Sequence, residues 1–201
     1  MAGEELPMPE SGLFELETVV VGQPKRSRWR SYKGPALIVS TVEGTPLALV
    51  NHLDDTNYLL TAASGEFIAH IKRRTSYGQF GPVRFRFTDV ADREIGTAVA
   101  QGLVKRRQLS LRTERGRQLL LTWRGYSSIE WHLTETDPEQ LPTPAILGTV
   151  TVSTIDSWLG LQQYVVETDS RLDASERRTV IASVVCLHLI RRPPGGEASA
   201  G

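Results

Sequence analysis

The chain carries one cysteine, Cys186, in 201 residues. No disulfide can form within it, so a bridge-stapled scaffold is excluded, and a lone thiol inside an apolar run fits a reducing compartment. An excess of charge of either sign is also lacking: 23 basic residues face 23 acidic ones. Overall charge therefore points to no partner, although 19 of the basic residues are Arg and many fall in short clusters. Histidine is scarce. His52, His70, His132 and His188 share no helix or strand face at ligand spacing, and Cys186 and His188, two apart on a helix, point to nearly opposite sides. His188 reads as a satisfied core histidine. Neither Ser64 nor Ser127 sits in a nucleophile elbow, no glycine loop of the phosphate-binding kind is present, and acidic residues are scattered through turns. No enzyme, metal or cofactor is expected. The opening MAGEELPMPESG lacks the basic-then-apolar pattern of a signal peptide, which makes the cytoplasm the expected location.

Long hydrophobic runs are few, and the one that exists organises the rest. From Val180 to Ile190 every residue except Ser183 and His188 is apolar. Asp173 can cap the first turn, Glu176 stands three residues on as in a capping box, and Pro193-Pro194 stop the run, which predicts a helix over Ala174–Arg191. A membrane span needs roughly 20 apolar residues, about twice what is here. A helix against one face of a sheet would keep a polar stripe, and none is present. The remaining solution surrounds it with sheet, burying Val180, Ile181, Val184, Val185, Leu187, Leu189 and Ile190.

The preceding chain supplies that sheet. Val83, Phe85 and Phe87 alternate with Arg84, Arg86 and Thr88; Leu109 and Leu111 alternate with Gln108, Ser110 and Arg112; Ile129, Trp131 and Leu133 alternate with Glu130, His132 and Thr134. Such alternation marks half-buried antiparallel strands. Strands are expected near 14–21, 36–42, 46–51, 56–62, 66–72, 83–90, 94–100, 107–113, 118–124, 129–135, 146–152 and 162–168. Glu43-Gly44, Ser64-Gly65, Ala91-Asp92 and Arg115-Gly116 suit hairpin turns. Strand-turn-strand units beginning at Tyr58, Phe85, Leu109 and Trp131 form a loose repeat of hairpins. A meander of about twelve strands removes its open edges by closing, and the interior then has room for a helix. One domain over 13–192 is expected, with flexible tails at 1–12 and 193–201.

With these residues in view, the chain resembles the tubby-like superfamily, most closely its phospholipid-scramblase and LURP-one-related branches. Leu172-Asp173, Arg178, Val180-Ile181 and Val185-Cys186-Leu187 look like the final helix of scramblases, and the strand-turn-Ile-Gly pattern of Asp89 to Thr97 is similar to the family. The resemblance implies a twelve-stranded antiparallel barrel around a hydrophobic C-terminal helix and action at membranes. Two features depart from it. The cysteine-rich segment used for lipid attachment has no counterpart, and the acidic group Glu167, Asp169, Asp173 and Glu176 before the helix lacks EF-hand spacing and its central glycine.

Basic clusters are the remaining lead. Lys25, Arg26, Arg28, Arg30 and Lys33 surround Trp29 and Tyr32; Lys72, Arg73 and Arg74 end one strand; Lys105, Arg106 and Arg107 begin another. Gathered at one rim, they would make a lipid- or anion-binding surface, with Trp29 at a membrane interface. Alternatively they solvate exposed loops and blunt strand edges. The leading expectation is a non-catalytic binding or membrane-tethering module for anionic lipid headgroups, cytoplasmic and peripheral to the membrane. The alternative is a protein-interaction or regulatory scaffold for a protein partner or small apolar ligand. Nucleic acid ranks third, since Trp29 and Tyr32 amid arginines suit single strands but the net charge is zero.

Overall fold

The computed structural model describes residues 12–25, 34–75, 81–101, 107–125, 128–136, 144–156 and 161–191. Its strands are β1 (Thr18–Gly22), β2 (Leu37–Ser40), β3 (Pro46–Asp54), β4 (Asn57–Ala62), β5 (Phe67–Thr75), β6 (Val83–Thr88), β7 (Glu94–Ala100), β8 (Gln108–Thr113), β9 (Gln118–Trp123), β10 (Glu130–Glu135), β11 (Ile146–Asp156) and β12 (Leu161–Thr168). All twelve join one closed antiparallel barrel in which each strand pairs with its sequence neighbours and β1 closes on β12. The pleat decides which side chains line the interior. Phe85 and Phe87 point inward between the outward Arg84 and Arg86, and Leu109 and Leu111 point inward between Gln108, Ser110 and Arg112.

Four hairpins share one construction. In the connections beginning at Thr41, Ala62, Asp89 and Thr113, the first carbonyl accepts from the fourth N–H, at 3.0, 2.9, 3.1 and 2.9 Å respectively. The first N–H donates to the fifth carbonyl, at 2.9, 2.7, 3.0 and 3.0 Å. The fourth residues are Gly44, Gly65, Asp92 and Gly116, and all have positive φ, 92°, 94°, 57° and 84°. This is the three-residue loop closed by a left-handed residue. At Asp92 the non-glycine conformation sits in a turn that the Asp89 carboxylate braces by accepting from the Ala91 and Arg93 N–H groups. All four hairpins lie at one end of the barrel, here the turn end. The connections β1–β2, β3–β4, β5–β6, β7–β8, β9–β10 and β11–β12 lie at the other, the loop end.

The helix α1 (Ala174–Arg191) follows β12, enters at the turn end and finishes at the loop end. Every residue from Thr179 to Leu189 is buried, on all sides of the helix. Val180, Ile181, Val184, Val185, Leu187 and Leu189 are core, and Ile190 is partly buried against it where the helix reaches the rim. The two polar residues of the run are satisfied: Ser183 Oγ donates to the Thr179 carbonyl at 2.6 Å, and His188 Nδ1 is 3.3 Å from the Tyr164 hydroxyl. Gly96 lets the helix approach β7, since a Cβ there would lie 3.1 Å from Thr179 Cγ2 and Phe87. Gly148 is tighter still, because its Cβ would fall 2.4 Å from the Glu167 carbonyl oxygen on β12.

Differences from the sequence reading are confined to ends. The first strand starts at Thr18, because Gly12–Phe14 form a 3-10 turn that buries Leu13. β3, β5 and β11 run past their expected ends, to Asp54, Thr75 and Asp156. Apart from Gly12, which opens that turn, the expected tails at 1–12 and 193–201 lie outside the described residues. Among those described, no helix is long and apolar enough to cross a membrane.

Each buried aliphatic side chain of α1 contributes about 1.5 to 3 kcal/mol, and a charge placed among them has no route to water. Val184→Asp is therefore expected to abolish soluble folding. In the wild type, amide exchange of Val180–Leu189 should be the slowest in the chain; exchange of these amides as fast as that of the rim connections would contradict enclosure. Gly148→Ala, meeting rigid backbone, should lower the denaturation midpoint more than Gly96→Ala.

Candidate functional site

The acidic group before the helix is spent on structure. Glu176 N donates to Asp173 Oδ1 at 2.9 Å and Asp173 N donates to Glu176 Oε2 at 3.0 Å, a reciprocal capping box. Arg117, on the β8–β9 hairpin, donates to Glu135 Oε1 at 2.9 Å and to Glu176 Oε2 at 3.1 Å, so one guanidinium ties the helix start to two strands. Arg115 reaches Asp173 at 2.6 Å, Arg178 reaches Glu114 at 2.7 Å, and Arg177 donates to the Glu15 carbonyl at 2.8 Å. Glu167 accepts from Thr149 at 2.7 Å, and Asp169 accepts from Arg171 through side chain and backbone. The Arg171 guanidinium, with its N–H, holds the Asp169 carboxyl down at about 2. No group of three metal-ligating side chains occurs among the described residues.

The basic clusters have a different setting. Lys25 follows β1, Lys72, Arg73 and Arg74 close β5, and Arg107 precedes β8, so all five stand at the loop end. Arg26, Arg28, Trp29, Arg30, Lys33, Lys105 and Arg106 lie outside the described residues. Arg107 is engaged: its guanidinium carbon lies 5.0 Å from the Trp123 ring centroid, and Trp123 stacks on Trp131 at 6.5 Å.

The pleat splits the β5 cluster. Ala69 and Ile71 point inward, and Arg73 continues their side of the strand, while Lys72 and Arg74 point out and are exposed. Outward on the adjacent strand is Arg84, paired in register with Arg74, and Lys72 pairs with Arg86. Arg86 is held by Asp92 at 3.5 Å and Glu94 at 3.4 Å. Lys72, Arg74 and Arg84 have no ion-pair partner among the described residues. Like charges directly opposite on neighbouring strands repel, so this corner of the wall is short of anions. Arg84 escapes a reading of charge clusters because it alternates with apolar residues and looks like any wet strand face.

Inside the same end, Tyr58 on β4 is 1 % exposed and its hydroxyl has no hydrogen-bond partner among the described residues. Arg73, diagonal to it across the β4–β5 ladder, is half-buried with an equally unpartnered Nε–H. His52, on the neighbouring strand, packs its ring 5.2 Å from that of Tyr58. Burial pushes the Tyr58 hydroxyl pKa up, opposed by the Arg73 charge, and burial pushes the Cys186 thiol well up. A thiol so held stays protonated and unreactive at neutral pH. Comparison with protein-family models, with curated proteins and with solved structures finds no match for this chain.

Two outcomes follow at the turn end. Loss of the cap in Asp173→Ala should cost about 1 kcal/mol, up to roughly 2, in urea denaturation. Asp169 has a folded-state pKa below its unfolded value near 3.9, so its contribution is present above about pH 4 and lost as pH falls through about 2. Asp169→Asn should flatten that part of the acid limb of the stability profile, while an unchanged limb would mean the Arg171 contact does not form in solution.

Proposed function

We propose that this barrel is a non-catalytic module that attaches to anionic lipid surface through the loop-end wall of β5 and β6. The observation that carries the reading is the exposed set Lys72, Arg74 and Arg84 on adjacent strands, without ion-pair partners among the described residues and with two of them directly opposed. An anionic surface relieves that repulsion without a specific fit. Lys25 stands at the same end, where the chain enters the segment holding Arg26, Arg28, Trp29, Arg30 and Lys33. Exposed Leu53 and Ile129 also stand there, although Val42 and Val90 are similarly exposed at the turn end, so apolar exposure alone does not choose between the ends. A barrel around a C-terminal helix supports the tubby-like resemblance at the level of architecture, which by itself carries no activity.

Each cation near an anionic bilayer contributes on the order of 1 kcal/mol, so three together change partitioning on the order of 100-fold. Wild type should sediment with vesicles containing anionic lipid and not with neutral phosphatidylcholine vesicles, and binding should fade as salt rises. Changing Lys72, Arg74 and Arg84 together to Ser should remove most of that binding while leaving the denaturation midpoint equal or higher. The same comparison with Arg26, Arg28 and Arg30 changed to Ser measures the share carried by that segment. Equal sedimentation of wild type and the first triple variant, or none by either, refutes attachment through this wall; the second outcome leaves a protein partner as the reading to pursue.

A further inference from the structure

We infer that the mouth of the barrel between β4 and β5 is a receptor for a phosphate-class oxyanion, bridging the Tyr58 hydroxyl and the Arg73 guanidinium. Two donors, Tyr58 O–H and Arg73 Nε–H, are withdrawn from solvent and lack any acceptor among the described residues. Folding rarely leaves one such group orphaned, because it forfeits hydration without a replacement bond. Here two belong to side chains that are diagonal neighbours across one ladder, in which Tyr58 pairs with Ile71 and Arg73 stands two residues further on. They also act on each other electrostatically, since the Arg73 charge opposes the upward shift of the Tyr58 hydroxyl.

The missing partner must accept from both groups and offset a charge. A water molecule accepts the protons but leaves the guanidinium without a counter-ion. The carboxylates within electrostatic reach of Tyr58 are those of Asp54 and Asp55. Asp54 is already committed to its own turn, accepting from the Thr56 N–H at 2.8 Å, the Thr56 hydroxyl at 2.9 Å and Asn57 Nδ2 at 2.7 Å. Arg73 has no ion-pair partner among the described residues. An oxyanion meets both needs, and guanidinium forks favour oxygens that can accept more than one bond. Arg73 is half-buried, so part of it is open to water although its Nε is not, and the ring of exposed His52 packs 5.2 Å from that of Tyr58. The oxyanion is either free phosphate or the exposed phosphate of a lipid headgroup.

The test uses the full chain with inorganic phosphate as probe, against chloride at equal ionic strength and pH. Wild type should show a saturable rise in Tm of about 3 to 6 °C at phosphate tenfold above its Kd. Tyr58→Phe keeps the ring and removes the orphan hydroxyl, so it should fold and lose most of the rise; Arg73→Gln should lose it as well, and Arg93→Gln, exposed at the turn end, should keep it. In a nitrogen-15 spectrum the Arg73 Nε–H resonance should move with phosphate in the wild type. Sedimentation with phosphatidic acid vesicles separates the sources: a deficit in Tyr58→Phe assigns the site to a headgroup, and equal sedimentation with the phosphate-dependent rise retained in wild type assigns it to free phosphate. No phosphate-specific rise in wild type, or an equal rise in all three variants, overturns the site and identifies the two donors as water-bound. Neither Tyr58→Phe nor Arg73→Gln alters Lys72, Arg74 or Arg84, so failure here is distinguishable from failure of wall attachment.

Discussion

A helix that is apolar on every side can be hidden from water only by a surface that passes all the way round it. A flat sheet covers one flank, and two packed sheets still leave the gaps between them. Closure of the twelve strands answers this demand, and also removes the free edges that an antiparallel meander would otherwise expose. The helix and the closure depend on each other: a barrel of this size without a filling has an interior too wide for its own side chains to pack, and the helix without the barrel has no stable solvent boundary. Gly96 and Gly148 mark where the fit is closest, one toward the helix and one between neighbouring strands.

The two ends of the barrel are chemically unlike, and the topology explains why. The chain must deliver the helix into the interior from one end, so that end carries the anchoring contacts. There, Arg117 joins Glu135 and Glu176, Asp173 and Glu176 cap each other, and Arg177 gathers carbonyls of the entering N-terminal segment. Tight hairpins at the same end hold those arginines and carboxylates in a fixed relation. The loop end has no such duty, and among the described residues Lys72, Arg74 and Arg84 stand there without ion-pair partners, with the unpartnered Tyr58 hydroxyl just inside.

The fold was legible in the sequence because its two strongest signals are local. Period-two alternation marks each strand, and the left-handed positions at Gly44, Gly65, Asp92 and Gly116 are marked by residues that accept that conformation. Asp173 and Glu176 announced the helix start for the same reason: the cap is a contact between residues three apart. The candidate sites were less legible because they depend on register. Lys72, Arg73 and Arg74 look like one cluster until the pleat sends the middle residue in with Ala69 and Ile71. Arg84 joins Lys72 and Arg74 only through the β5–β6 pairing, and the bond that Tyr58 lacks cannot be read from a string of residues at all.

Register also bears on what the wall is for. Toward the turn end the outer face of β6, β7 and β8 carries Arg86, Glu94 and Arg112, with the carboxylate between two guanidinium groups. One step along β6 toward the loop end, Arg84 faces Arg74 of β5, and no acid pairs with either among the described residues. A barrel serving only to enclose its helix would gain from the alternating arrangement at both positions, since opposite charges across a ladder stabilise and like charges do the reverse. The difference is small per pair, but it is oriented: the paired charges lie where the helix is anchored, and the unpaired ones where the chain leaves a face to solvent. On this wall the turn end thus holds its charges in pairs, and the loop end leaves its positive charge uncompensated among the described residues.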